Sequence, residues 1–185
     1  MPGALRALLL ALLAALALMA WPVAARADGP EFTEFDIVRS DEGIQLNFHL
    51  RFELPRNVED ALQKGVPLYF LAEAEVFRDR WYWRDKRVSK ASRVWRLAFQ
   101  PLTRKYRVTY GGLNQNFDNL SDALAAVRRV AGWKIAETSD IEPGARHYVE
   151  LVYRLDTTLL PRPMQIGIGG QPEWALSVEK FQRFN

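Results

Sequence analysis

The sequence has no cysteine among its 185 residues and only two histidines. The first absence excludes disulfides, a thiolate nucleophile, cysteine-ligated zinc and a lipid-bearing N-terminal cysteine. The histidines, His49 and His147, have no companions at metal-ligand spacing, so each is expected to be a surface or hydrogen-bonded residue. The nucleophile signature G-x-S-x-G is also missing, and Ser121-Asp122 reads as a helix start. Gly167, Gly169 and Gly170 lack the Lys-Ser/Thr pair of a phosphate loop and are read as a bend. Asp36, Asp41 and Glu42 lack the run of oxygen ligands that calcium needs. No metal or cofactor is therefore expected. Disorder is not expected either, because 49% of the residues are hydrophobic and 12% aromatic. The length suits one domain.

A long apolar run occurs once, at the N-terminus. Arg6 precedes Ala7 to Ala20, an unbroken stretch rich in Leu and Ala. Pro22 interrupts it, and Ala25-Arg26-Ala27 offers small side chains where signal peptidase cleaves. Residues 1–27 are expected to be a signal peptide cleaved after Ala27, leaving a single domain from Asp28 to Asn185. The alternative is an uncleaved anchor, since Ala7 to Ala25 approaches the ~20 residues that span a bilayer. Either way the folded part is expected outside the cytoplasmic membrane, in the periplasm.

The remainder reads as strands. Ile44, Leu46, Phe48, Leu50 and Phe52 alternate with polar residues, so Phe48 is expected in the core and His49 on the wet face. With Phe32 to Arg39 and the Asp41-Glu42-Gly43 turn, this makes a hairpin. A short helix is expected from Val58 to Lys64, capped by Asn57 and ending at Gly65. Strands follow at Val66–Phe77, Trp81–Ser89, Arg93–Gln100 and Lys105–Tyr110, with a turn at Lys90–Ser92. Leu120, Leu124, Val127 and Ala131 predict a helix from Leu120 to Ala131, capped by Asn119 or Ser121 and closed by Gly132. Further strands are expected at Trp133–Glu137, Tyr148–Leu155 and Trp174–Val178, after a turn at Glu142-Pro143-Gly144. Pro161 and Pro163 are expected to bracket an extended connection. About nine strands on short turns predict an antiparallel β-sandwich with two helical connections. A partly open β-barrel is the alternative.

Charge is unevenly distributed. Residues 78–107 hold 11 basic and two acidic residues, a net of +9, interleaved with aromatics. Arg80, Trp81, Trp83, Arg84, Arg87, Arg93, Trp95 and Arg96 are the candidate binding residues, because arginine and aromatic side chains together favour anionic or protein partners. The competing interpretation is a sheet with aromatics inward and arginine stems covering its surface. Glu73 and Glu75 share a strand face at about 7 Å. That spacing suits glycoside hydrolysis, although nearby arginines could simply pair with them.

Two blocks, Leu102-Thr103-Arg104 with Tyr106-Arg107-Val108, and Arg154-Leu155-Asp156 with Leu160-Pro161-Arg162-Pro163, precede Trp174-Ala175-Leu176-Ser177. Together with the signal peptide and the Trp81-Tyr82-Trp83 segment, they resemble a proteobacterial exported family catalogued as a domain of unknown function. The resemblance covers nearly all of the mature chain. It implies a gene neighbour that is a sensor kinase of the nitrogen-regulation type, and a Trp near the C-terminus where this chain has Phe181 and Phe184. It carries over no functional residues. The expectation is a non-enzymatic periplasmic binding or accessory protein. Its partner would be an envelope protein, such as the periplasmic region of a sensor kinase, or an anionic envelope surface, and not nucleic acid. The alternatives are a small cell-wall glycan hydrolase and a carrier of an apolar ligand between the sheets.

Overall fold

The computed structural model describes residues 29–80, 84–168 and 170–184. The expected signal peptide with its cleavage site, the segment Trp81–Trp83, and Gly169 lie outside them. Nine strands form two antiparallel sheets among the described residues. No described helix is long and apolar enough to cross a membrane.

Strands β1 (Glu31–Ser40) and β2 (Gly43–Arg51) form the expected hairpin. Its turn needs Gly43. The backbone there has φ of +126°, and a Cβ would stand 2.2 Å from the Ala136 carbonyl oxygen. On β2 the alternation holds: Ile44, Leu46, Phe48 and Leu50 are buried, and His49 is half-buried. Helix α1 (Arg56–Gln63) has its N-cap at Pro55 rather than Asn57 and buries Val58 and Leu62 on one face.

Strand β3 (Leu68–Arg78) is followed by β4 (Lys86–Gln100), β5 (Lys105–Tyr110) and β6 (Leu113–Phe117). Asn119 caps helix α2 (Leu120–Arg128), its side chain accepting from the Asp122 backbone N–H at 2.8 Å. Strand β7 (Arg129–Ala136) follows directly. After the Glu142–Gly144 turn come β8 (His147–Leu155), helix α3 (Arg162–Ile168) and β9 (Ser177–Phe184). The small sheet runs β1-β2-β7 and the large sheet β6-β5-β4-β3-β8-β9.

The inner faces meet in an aromatic core. The Tyr153 ring packs against Phe48, Phe52, Phe70 and Trp95 at 5.9–6.3 Å between centroids. Its hydroxyl donates to the Val127 carbonyl at 2.9 Å, which satisfies a buried group where α2 ends. Each such ring contributes roughly 1.5–3 kcal/mol by burial alone. Ser89 donates to the Ile135 carbonyl at 2.6 Å and ties β4 to β7.

Four expectations need correction. No turn lies at Lys90–Ser92: β4 is one strand, paired with β3 along its length. The Leu120–Ala131 helix stops at Arg128, and Gly132 lies inside β7 in a left-handed conformation, its N–H donating to Asn47. That donation occupies a break in the β2–β7 register. The stretch after Pro161 is helical, because Pro163 sits in the first turn, where no N–H is needed. Trp174 belongs to a buried 3₁₀ turn, and the last strand starts at Ser177. The edge strand β6 was not expected at all.

Candidate binding surfaces of the large sheet

The candidate residues divide between two faces of β4. Phe70 pairs with Trp95 and Ala72 with Arg93, which places Trp95 and Arg93 on the inner face. Tyr69 pairs with Arg96, which places Arg96 on the outer face. Arg87 has the same parity as Arg93, yet it also stands outside. Val76 pairs with Ser89 and Phe77 with Arg87, so Val88 is an extra residue that shifts the alternation. Arg80 and Arg84 lie in the connection from β3 to β4, beyond the ends of both strands. Trp81 and Trp83 lie outside the described residues. The candidate residues of the basic segment thus do not share one face, and Arg87 and Arg93 stand on opposite sides of β4.

On the outer face, Arg87 pairs with Glu75 at 3.0 Å, and Lys90 pairs with both Glu73 and Glu75. The hydrogen bonds that Lys90 donates, to Glu73 first and Glu75 second, raise its pKa. Both glutamates therefore have cationic partners on an open surface. Arg96, Arg154 and Arg183 are exposed and make no ion pair among the described residues.

An aromatic row stands at one end of this face. Phe77 stacks on Tyr148 at 5.1 Å, Tyr148 packs on Phe181 at 4.8 Å, and the Arg183 guanidinium lies 5.5 Å over Phe181. Phe181 is 49% exposed. Asp85 accepts from the Tyr148 hydroxyl at 2.9 Å and from the Arg80 backbone N–H at 3.0 Å. The Arg80 bond first, then the Tyr148 bond, hold the Asp85 carboxyl below its ordinary pKa. Burial, followed by the Asp85 bond, pushes the Tyr148 phenol up. Sequence reasoning missed Tyr148, Phe181 and Arg183. The alternation that put Val149 and Leu151 inside also put Tyr148 outside, and that was the available signal.

The inner face holds two ionisable groups in unusual settings. His147 is buried; its Nδ1 lies 3.0 Å from the Ala145 carbonyl, and its ring stacks on Phe184. Burial lowers its pKa, and its Nε2 has no hydrogen-bond partner among the described residues. Arg93 is half-buried between aromatic rings, and burial lowers its pKa as well. No cluster of three potential metal ligands occurs among the described residues. Ser177-x-x-Lys180 spells a nucleophile motif, but residues three apart on a strand point to opposite faces.

The family model described as a domain of unknown function (DUF4390) matches residues 27–184. No curated protein and no solved structure matches the chain.

Proposed function

We propose, from the premise that the chain belongs to the DUF4390 family, that it is a non-enzymatic binding or accessory protein of the bacterial envelope. The observation that carries this reading is the open outer face of the large sheet. Val94 is 39% exposed there and Phe181 49%, beside the unpaired arginines Arg96, Arg154 and Arg183. Val94 lies near Arg96 and Arg154 at one end of the face and Phe181 near Arg183 at the other, with Glu73, Glu75, Glu150 and Glu179 between them, and exposed apolar side chains next to arginines are what a docking surface offers. The chemistry fits an anionic partner, and the periplasmic region of an envelope sensor is the first candidate. Export rests on the N-terminal segment. Intact-mass analysis of the exported protein should find a chain beginning at Asp28, whereas a full-length chain in the membrane fraction would favour the anchor.

A hydrolase would need two carboxylates converging on a bound sugar. Glu73 and Glu75 are instead occupied by Arg87 and Lys90, which supports the binding reading. The test is periplasmic crosslinking and capture with the triple variant Arg96→Glu, Arg154→Glu, Arg183→Glu. Capture should fall relative to wild type, and the deficit should be larger at low salt, because exposed charges are screened over about 10 Å at 0.1 M. Wild-type capture at every salt concentration, with the fold intact, would sink the reading.

A further inference from the structure

The inner side of the large sheet carries a second, separate feature. Where β4, β5 and β6 face the junction of α2 and β7, a cavity of about 210 Å³ remains. Arg93 and Trp95 line it from β4, Tyr110 from β5, and Gln115 from β6. Val108 and Ala126 contribute an apolar wall, and the exposed Arg129 stands at the opening. Two cations and no carboxylate line this space.

Arg93 is held in an unusual way. Its Cζ lies 5.1 Å from the Tyr110 ring centroid and 5.2 Å from that of Trp133. Both rings stand within cation–π range of the guanidinium, which restrains the group without supplying a hydrogen-bond acceptor. Among the described residues Arg93 makes no ion pair and its buried Nε has no hydrogen-bond partner. A partly buried cation without a counter-charge is unfavourable, and ordinary proteins pair it. On the outer face Arg87 has Glu75, and Arg96, Arg154 and Arg183 are exposed to water. Arg93 is set among rings beside an open space.

We propose that this cavity is a binding site for a small carboxylate borne on an apolar body. A carboxylate is planar and accepts two parallel bonds from a guanidinium edge, and Arg93 has no carboxylate partner among the described residues. The apolar wall and the Trp95 ring take the body of the ligand, and Arg129 at the mouth attracts the charge. Phosphate fits less well, because a strongly hydrated dianion gains nothing from Val108 and Ala126. The volume lies below the ~300 Å³ at which drug-sized pockets begin, so the ligand is small. This site is on the opposite face from the docking surface proposed above and does not depend on it.

The experiment uses the mature protein, with benzoate as probe, benzamide as its neutral isostere and inorganic phosphate as the second anion. Binding is followed by the Arg93 Nε–H resonance and by Trp fluorescence, since Trp95 lines the site and Trp133 touches Arg93. Benzoate should give a saturable change in both and raise the melting temperature. Benzamide and phosphate should bind about tenfold more weakly or worse, since a charge-assisted bond is worth at least that factor. Arg93→Met should lose the benzoate response, and Arg93→Lys should keep only part of it. Leu113→Asp tests the site without touching its interior. Leu113 is 74% exposed on the edge strand at the cavity rim, so this variant should fold and bind benzoate more weakly. Equal binding of benzoate and benzamide would overturn the proposal. So would full benzoate binding by Leu113→Asp or Arg93→Met, or no saturable change up to about 10 mM.

Discussion

Arg87 and Arg93 lie on the same strand, in the same basic segment, with the same parity, and meet opposite fates. Arg87 is exposed and pairs with Glu75, whereas Arg93 faces inward between two aromatic rings with no anion beside it. The cause is Val88, the extra residue that turns β4 over between them. A concentration of charge along a sequence is therefore not a patch of charge on a surface. Strand alternation divides it, and a single bulge decides how.

The largest test of this division removes apolar contacts from each face. Trp95 is 4% exposed on the inner side, and Val94 is its neighbour on the outer side. Trp95→Ala should lower unfolding stability by about 3–5 kcal/mol and Val94→Ala by no more than about 0.5. Urea melts decide it. Comparable losses would mean that β4 presents its faces the other way.

The same comparison can be made with one functional group on β8. Tyr153→Phe removes the donor to the buried Val127 carbonyl and should cost about 1–3 kcal/mol. Tyr148→Phe removes a bond to Asp85, which water can replace, and should cost about 1 kcal/mol or less. A larger loss for Tyr148 would make the outer aromatic row a structural element rather than an available surface.

His147 adds a pH dependence just below neutrality that arises on the inner face. Burial holds its pKa below the 6.5 of a free imidazole. Between that lowered value and pH 6.5 the unfolded chain binds a proton that the folded chain does not. Stability is therefore complete above pH 6.5 and falls as the pH drops through that window, by at most about 1.4 kcal/mol per pH unit. Denaturation midpoints at pH 7.5 and 5.5 should differ for the wild type, and the difference should shrink in His147→Gln. An unchanged difference would assign the dependence to other groups.

These contrasts also show what the sequence could reveal. Strands β2 and β8 were legible because each has one dry face and one wet face, and their alternation survives intact. Strand β4 was misread because Ser89-Lys90-Ala91-Ser92 looks like a turn. Its inner residues are small where β7 crosses, with Ser89 bonding the Ile135 carbonyl, and its outer ones are wet. Strand β6, Leu-Asn-Gln-Asn-Phe, is an edge strand with little to bury and so carries no pattern. The basic segment was visible in composition, but the cavity beside Arg93 was not. It depends on Tyr110, Gln115 and Ala126, which the chain brings together from three elements.

The smallest expected effect concerns the ion pairs that separate Arg87 from Arg93. Arg87 and Lys90 are each roughly half-exposed at their side chains, and their partners Glu73 and Glu75 are less so. Exposed pairs of this kind contribute about 0–1 kcal/mol, because water already solvates both members. Arg87→Gln should therefore change stability by about 0.5 kcal/mol or less, and 1 M salt should erase most of the difference by screening. Arg93→Gln should behave differently. Salt screens a group between rings far less, so whatever change it produces should persist at 1 M. Melts of both variants at low and high salt measure this directly. If the Arg93 effect disappears with salt as the Arg87 effect does, then Arg93 is as wet as its outer counterpart, and the bulge has not separated them.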